Sequence, residues 1–338
     1  MAVVGWDIGG AHLKAARAEN GRIVDAVQVA SPLRLGVEAL DRAFAQAKPS
    51  LGPADRHICT MTGELADSFA CRADGVEQLA AAALRALAPE PIVLYAGRAG
   101  CVVPQAAPQH VEDIASANWH ATAALVAKRK GSALLIDMGS TTTDLVPVMA
   151  GAIIARGYTD AERLACGELV YTGLVRSLVM AIAARAPVAG SWTTLVNENF
   201  ATMADVHRLL KNLPQDADLM PTPDGRPKTL AASRARLARM LGRDADQPEQ
   251  CTVPARWFAE AQIRTITDAA MLILSRGELP AGAPVVAAGI GVTLIGEIAR
   301  RLGRDCVDFA TLLDVAPHAR ARASQCAPAA ALALLASE

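Results

Sequence analysis

The chain has 338 residues, 52% of them hydrophobic, and carries 33 Lys and Arg against 34 Asp and Glu for a formal charge of −1. That length exceeds one ordinary domain and predicts two lobes, while so apolar a composition excludes a disordered or fibrous chain. The near-zero charge excludes the global positive field of a nucleic-acid binder, so no nucleic-acid partner is expected.

Residues 2–8 form a short apolar run before a turn, which predicts a buried strand. No basic region or small-residue cleavage site precedes it, so no signal peptide is expected. Residues 13–19 and 22–29 flank Asn20-Gly21, a strong two-residue hairpin signal. The spacing then predicts a helix over 36–47, a strand over 57–62, a helix over 76–87 and a strand over 92–95. A second cycle follows: strand 132–137, a turn at Met138-Gly139-Ser140, strand 142–148, a turn at Ala150-Gly151 and strand 153–156. Residues 160–184 read as helical and 285–288 as a late strand, after which Gly289 and Gly291 lead into a helix reaching 302. Residues 195–250 are rich in helix formers but broken at Pro214 and at Pro221-Thr222-Pro223-Asp224-Gly225, and read as a helical insertion.

The fold class expected is therefore α/β with duplicated lobes and a cleft between them. The first lobe is placed at 1–128 and the second at 129–325, with the insertion at 195–255 and the segment 326–338 packing back on the first lobe. No uncharged run is long enough to cross a bilayer, and the longest, 174–184 and 327–336, read as buried helices. Cys59, Cys71, Cys101, Cys166, Cys251, Cys306 and Cys326 are scattered without C-x-x-C spacing. They read as reduced thiols, mostly in the core of a cytoplasmic protein, and no structural zinc site is expected. No membrane partner is expected, and a homo-oligomer is left open.

Each three-strand cycle opens with an apolar strand ending in Asp-x-Gly: Asp7-Ile8-Gly9-Gly10-Ala11-His12 and Asp137-Met138-Gly139-Ser140-Thr141-Thr142. Seven residues past each Asp lies Lys14 in the first and Asp144 in the second. Glycines at a strand end let backbone N–H groups approach an anion without interference from Cβ. The Asp supplies a ligand for Mg²⁺, which in turn neutralises phosphate. Ser140, Thr141 and Thr142 add hydroxyl donors, and Lys14 adds a point charge. One such turn alone is a common Asp-capped feature. Two copies at matching places in matching strand cycles argue for a phosphate cleft.

Residues 4–14 and 134–147 resemble the two phosphate loops of the actin, Hsp70 and sugar-kinase superfamily, and 285–291 looks like its adenosine-side motif. Ser140-Thr141-Thr142-Thr143-Asp144 is closest to the hydantoinase/oxoprolinase branch. The blocks 5–14, 60–67, 116–123, 167–173 and 197–205 together resemble one small group within it, the tetrahydromethanopterin-linked, methanofuran-biosynthesis proteins.

That resemblance implies an alkyl or aryl (non-methyl) transferase. A phenol oxygen of a glutamyl-tyramine or tyrosine-type acceptor attacks the methylene carbon of an aminomethylfuranylmethyl diphosphate, and pyrophosphate leaves. On this reading Asp7 and Asp137 hold Mg²⁺; Gly9, Gly10, Gly139, Ser140 and Thr141 cradle the diphosphate; and Lys14 neutralises charge. The phenol needs a base, for which Glu64, Asp144, Glu168 and His12 are open candidates. The competing readings are an ATP-dependent small-molecule kinase, which the Gly289/Gly291 motif permits, a hydantoinase/oxoprolinase-type ATP-dependent amidohydrolase subunit, and an Hsp70-like nucleotide switch. The last is disfavoured because no peptide-binding region follows Ala336-Ser337-Glu338.

Several single residues carry two readings each. Thr62-Gly63-Glu64 follows a strand, where α/β sheets place ligands, or else it starts a helix. Asn118, Trp119 and His120 line an aromatic-substrate pocket, or Trp119 is a core residue. Glu168 and Tyr171 share a helix face at i, i+3 and either meet the furan's amine or pair locally. Lys228, Arg234, Arg236, Arg239 and Arg243 meet the glutamyl carboxylate or form a solvated face, the second being the better reading.

Overall fold

The computed structural model describes residues 1–244 and 249–337, without the side chains of residues 249 and 250. The stretch 245–248 inside the expected insertion, and Glu338, lie outside the described residues.

The first sheet runs β3(Arg22–Ala30), β2(His12–Glu19), β1(Ala2–Gly9), β4(Arg56–Thr62), β5(Ile92–Tyr95), β6(Cys101–Val102) in spatial order. Its first three strands form an antiparallel meander, and β4 joins β1 in parallel. Asn20 and Gly21 both take positive φ, 50° and 80°, the backbone that matches the twist of a two-residue hairpin. The helices α1(Glu38–Leu51) and α2(Arg72–Leu87) cover one face, where Trp6, Phe44, Leu79 and Leu94 share a core.

The second sheet repeats the plan. Its order is β10(Leu169–Val170), β8(Thr143–Met149), β7(Ala133–Met138), β13(Val285–Gly289), β14(Cys306–Asp308), with β9(Ala152–Ile153) also paired to β8. Again an antiparallel hairpin, turned at Ala150 and Gly151 with φ of 50° and 82°, is extended by parallel strands. The strand expected over 153–156 stops at Ile153.

Between the sheets lie α3(Val111–Ile114) and α4(Asn118–Lys130). The chain ends in α10(Val292–Arg301), α11(Arg320–Gln325) and α12(Ala327–Leu335). Helix α12 is buried along eight of its nine positions and shares one core with Ala16, Ile23, Trp119, Leu135 and Val146. Strands of both sheets thus meet on one terminal helix. At Gly5 a Cβ would fall 2.1 Å from the carbonyl oxygen of Ala329, so only glycine lets α12 lie this close to β1.

The helix expected over 160–184 is the main departure. It is α5(Asp160–Cys166), held by a Thr159/Glu162 capping box and stopped by Gly167 at φ 78°, a left-handed C-terminal cap. Residues 169–170 then pair with β8, and only the short α6(Val179–Ile182) follows. Within the insertion the described elements are helical, as expected: α7(Met203–Leu209), α8(Leu230–Met240) and the start of α9(Glu249–Leu274). An unexpected hairpin, β11(Arg185–Val188) and β12(Ser191–Thr194), precedes them, and together they pack around a core of their own.

The basic stretch is a solvated face only in part, with Arg243 exposed and Arg234 and Arg239 half-buried. Arg236 is wholly buried, 2.7 Å from Asp205 and 3.1 Å from Asp224, and Lys228 lies 3.3 Å from Asp218. The cysteines divide: Cys59, Cys251 and Cys326 are buried as expected, whereas Cys71, Cys101 and Cys306 are exposed. Among the described residues no helix is long and apolar enough to cross a membrane.

Candidate functional site

The two Asp-bearing strand ends open onto one cleft of about 360 Å³, lined by Asp7, Gly9, Gly10, His12 and Lys14 from the first lobe and by Asp137, Gly139, Ser140, Thr141, Thr142 and Asp144 from the second. Pairing register explains the convergence. Asp7 is opposite Lys14 across β1 and β2, and Asp137 is opposite Asp144 across β7 and β8. Adjacent strands therefore deliver each pair to the same end of their sheet.

The glycine loops are held from behind. In the first, the N–H of Leu33 donates to the carbonyl of Gly10 at 3.1 Å, and that of Gly63 donates to Ile8 at 3.0 Å. In the second, Gly139 N–H donates to Thr142 at 2.9 Å, while Leu174 N–H donates to Gly139 at 3.0 Å and Arg176 N–H to Ser140 at 2.8 Å. A Cβ on Gly173 would lie 2.5 Å from the Thr141 nitrogen and 2.6 Å from the Ser140 carbonyl carbon. The segment 173–176 is thus pressed directly against the second loop.

The cleft is electrostatically loaded. Lys14 Nζ stands 3.6 Å from Asp7 Oδ2, with the Asp7 side chain 3% exposed. Burial raises Asp7 above the usual carboxylate range in spite of that ammonium. Burial also pushes Asp137 up to about 7, with Lys14 opposing and Asp144 and Asp7 reinforcing the shift. Asp144 is raised by burial against the pull of Arg163, whose Nη1 lies 2.8 Å away. Burial would lower Lys14, but Asp7 above all holds it raised and charged. Burial, with Lys14, Arg176 and Lys228 nearby, pushes His12 down to about 3, so its ring is neutral. Four atoms of the cleft residues are buried without hydrogen-bond partners among the described residues: Asp7 Oδ1, His12 Nε2, Ser140 Oγ and Arg163 Nε.

Among the described residues no group of three or more His, Cys, Asp or Glu is arranged to hold a metal alone. Mg²⁺ commonly takes only one or two carboxylates and completes its shell with water and phosphate oxygens. Asp7, with a buried and unpartnered oxygen, and Asp137 beside it in the same cleft fit that demand.

The remaining expected residues divide. Thr62, Asn118 and Tyr171 line the cleft, Tyr171 at 70% exposure on its rim. Asn118 Oδ1 accepts from the Trp119 N–H at 2.7 Å.

Trp119 does not line the cleft. It is 2% exposed, and with His120 and Tyr158 it borders a separate cavity. The Arg163 guanidinium lies over its ring at 4.2 Å.

Glu64 starts no helix, since α2 begins at Arg72, and it is wholly buried just outside the cleft lining. Its carboxyl, raised by burial, lies 2.7 Å from Ser116 Oγ, which is 3.0 Å from Asp160. A protonated Glu64 donating to Ser116, which donates onward to Asp160, satisfies a hydroxyl that has only one proton to give.

Glu168 and Tyr171 share no helix face, because Leu169 and Val170 between them are extended. Glu168 accepts from the N–H groups of Arg156 at 2.9 Å and Gly157 at 3.0 Å and is paired with Arg276. That makes it a structural anchor outside the cleft lining.

Gly289 and Gly291 also stand outside that lining. At Gly289, where φ is 83°, a Cβ would meet Asp137 Oδ1 at 2.5 Å, and at Gly291 one would meet Met138 Sδ at 2.3 Å. They allow β13 and its turn to support the Asp137 strand end.

The cleft residues that escaped sequence reasoning include Arg34, Asp160, Arg163 and Arg176. None sits in a glycine loop, and only the pairing of distant segments brings them to the cleft.

The model of the family described as hydantoinase/oxoprolinase matches residues 56–337. A curated relative from Methanocaldococcus jannaschii, "(4-{4-[2-(gamma-L-glutamylamino)ethyl]phenoxymethyl}furan-2-yl)methanamine synthase", is 31% identical over 245 residues, 72% of each chain. A protein of the same name from Methanococcus vannielii is 33% identical over 114 residues, 34% of this chain and 51% of that one. Among solved structures, nucleotide-free acetone carboxylase aligns with a TM-score of 0.61 at 10% identity, covering 98% of this chain and 70% of that one. A PilM–PilN type IV pilus biogenesis complex aligns with a TM-score of 0.50 at 14% identity, covering 99% and 98%. These likenesses show the fold alone, which is that of the actin-like ATPases and sugar kinases. The chain belongs to the hydantoinase/oxoprolinase family, in the branch that holds the furan-methanamine synthases of methanofuran biosynthesis.

Proposed function

We propose that the protein is a transferase of methanofuran-type cofactor biosynthesis, joining an aminomethylfuranylmethyl diphosphate to the phenol oxygen of a glutamyl-tyramine or tyrosine-type acceptor. The observation that carries this reading is the shared cleft. Two glycine loops, two strand-end carboxylates and Lys14 surround one space in a chain related to a synthase whose name specifies a phenoxymethyl-furan ether.

In the proposed step the phenol oxygen forms a bond to the methylene carbon while the bond from that carbon to the diphosphate oxygen breaks. The bonding pair leaves with pyrophosphate, and the phenolic proton passes to a base. The backbone N–H groups of Gly9 and Gly10, with the hydroxyls of Ser140 and Thr141, donate to the diphosphate, while Gly139, its own N–H held by Thr142, lets the second loop approach without a Cβ. Lys14 balances charge that grows as it leaves. Asp7 and Asp137 would hold Mg²⁺, which supplies electrostatic stabilisation of the leaving group. Of the four candidate bases, Glu64 and Glu168 stand outside the cleft lining and Asp144 is engaged by Arg163. His12 lines the cleft with Nε2 unpartnered and is the best placed of the four, although burial and the nearby cations weaken its basicity until the anionic diphosphate is bound.

The kinase reading draws on the Gly289/Gly291 motif, and that motif has a packing role here. Purified protein with Mg²⁺ and the furanyl diphosphate is expected to release pyrophosphate only when a phenolic acceptor is added, with the ether detected by mass spectrometry. ADP formed from ATP, with no pyrophosphate from the furanyl compound, would establish the kinase instead.

A further inference from the structure

The cleft continues past the phosphate loops. A second cavity of about 450 Å³ lies between it and the insertion, and three residues line both spaces: Arg34, Arg176 and Met220. The two arginines come from opposite lobes, and each is tied to its own glycine loop. Arg34 follows Leu33, whose N–H donates to Gly10, while the N–H of Arg176 itself donates to Ser140.

Neither guanidinium has a carboxylate partner among the described residues. Arg176 donates only to Thr141 Oγ1, at 3.3 Å, and Arg34, exposed on its turn, makes no side-chain bond. Their neighbours differ. Arg163 is paired with Asp144, Arg208 with Asp218 and Arg236 with Asp205. Two unpaired forks at the junction of two cavities form a receptor for a planar anion, because a guanidinium binds a carboxylate through two parallel N–H bonds. The acids on the wall of the far cavity, Asp205 and Asp218, are already paired with Arg236 and Arg208, so the free charge at the junction is positive. A γ-linked glutamyl group keeps its α-carboxylate free to meet that charge.

We infer that Arg34 and Arg176 clamp the α-carboxylate of a γ-glutamyl acceptor from the two lobes, with the glutamyl arm seated in the cavity toward the insertion. The inference rests on the transferase reading for the identity of its ligand. The same forks could serve a phosphate oxygen of the diphosphate, and the test separates these sources.

Calorimetric titration of the wild-type chain, Arg34→Ala and Arg176→Ala uses three probes: γ-glutamyltyramine, tyramine and inorganic pyrophosphate. The wild type is expected to prefer γ-glutamyltyramine over tyramine by about tenfold or more, as befits a charge-assisted bidentate contact. Each variant should bring that preference to within about twofold, and Arg34→Ala, whose side chain bonds neither glycine loop among the described residues, should hold pyrophosphate affinity within about threefold. A preference that survives in both variants, or is absent from the wild type, overturns the clamp. A parallel loss of pyrophosphate affinity in Arg34→Ala assigns the forks to the diphosphate and also overturns it. Binding is read without turnover, so a clamp that behaves as expected in a protein releasing no pyrophosphate sinks only the transferase reading.

Discussion

Asp7 lies directly opposite Lys14 in the β1–β2 register, and Asp144 occupies the equivalent place opposite Asp137. Duplication has thus kept a carboxylate at both strand ends but changed its cross-strand neighbour from cation to anion. The first lobe carries its own counter-charge. In the second, Arg163 neutralises Asp144 and leaves Asp137 as the cleft carboxylate pushed up to about 7.

Asp137→Asn is expected to abolish pyrophosphate release while leaving the fold intact; near-normal turnover would remove Asp137 from the mechanism. The same variant tests the electrostatics. The folded chain holds this proton up to pH near 7, whereas the unfolded chain releases it near the ordinary carboxyl value of 3.8. The Asp137 contribution therefore falls as pH climbs through that window and reaches its least favourable level above it. Without metal, Asp137→Asn should melt higher than wild type at pH 8 and not at pH 4. Added Mg²⁺ should raise the wild-type Tm at pH 8 more than that of the variant.

Lys14→Met leaves the buried Asp7 carboxylate without its 3.6 Å partner. Urea unfolding at pH 7.5 should show a loss of about 3 kcal/mol, the usual scale for breaking a buried pair. Acidification protonates Asp7, whose pKa is already raised, so the loss should shrink toward pH 5. Adding Asp7→Asn should restore stability without restoring activity.

Gly173→Ala places a methyl group against the second glycine loop. Displacing that loop by a fraction of an ångström should lower kcat/KM about a hundredfold through lost positioning. The effect on pyrophosphate affinity should exceed that on acceptor affinity. An unchanged pyrophosphate affinity would show that the segment 173–176 does not set the loop.

Glu168→Gln should act on stability rather than chemistry. Burial alone would raise this carboxyl, but the N–H groups of Arg156 and Gly157 and the Arg276 guanidinium together hold it below the ordinary range. Its stabilisation is therefore present above the ordinary value of 4.5 and lost as pH falls through the folded value. At pH 7 the variant should lose about 2–4 kcal/mol by leaving Arg276 uncompensated, with kcat within about threefold of wild type. A large kcat loss in a stable variant would return Glu168 to the list of bases.

Much of the fold was legible because its signals are local. The apolar runs at β1, β4 and β7, the Asn20-Gly21 turn and the two Asp-x-Gly strand ends depend on neighbours in sequence. Residues 160–184 misled because their apolar content fits a buried helix, a short strand or a loop equally well, and only pairing with Thr143 and Asp144 decides between them. The hairpin at 185–194 was hidden by Ala189, which takes φ 47° in a turn that more often carries Asn or Gly. Of the site, the glycine loops and their carboxylates were readable. Arg34, Arg163 and Arg176 were not, since their placement depends on contacts between segments far apart in sequence.

The packing of α12 on β1 has a bearing on how the molecule is made. Gly5 and the Ala329 carbonyl are nearly a full chain length apart in sequence yet in direct contact. On a ribosome, the strand that carries Asp7 emerges long before the helix that covers it. Its apolar back face must wait, exposed, until that helix is made. Such non-local closure slows folding, and the nascent first lobe is where chaperone dependence should show.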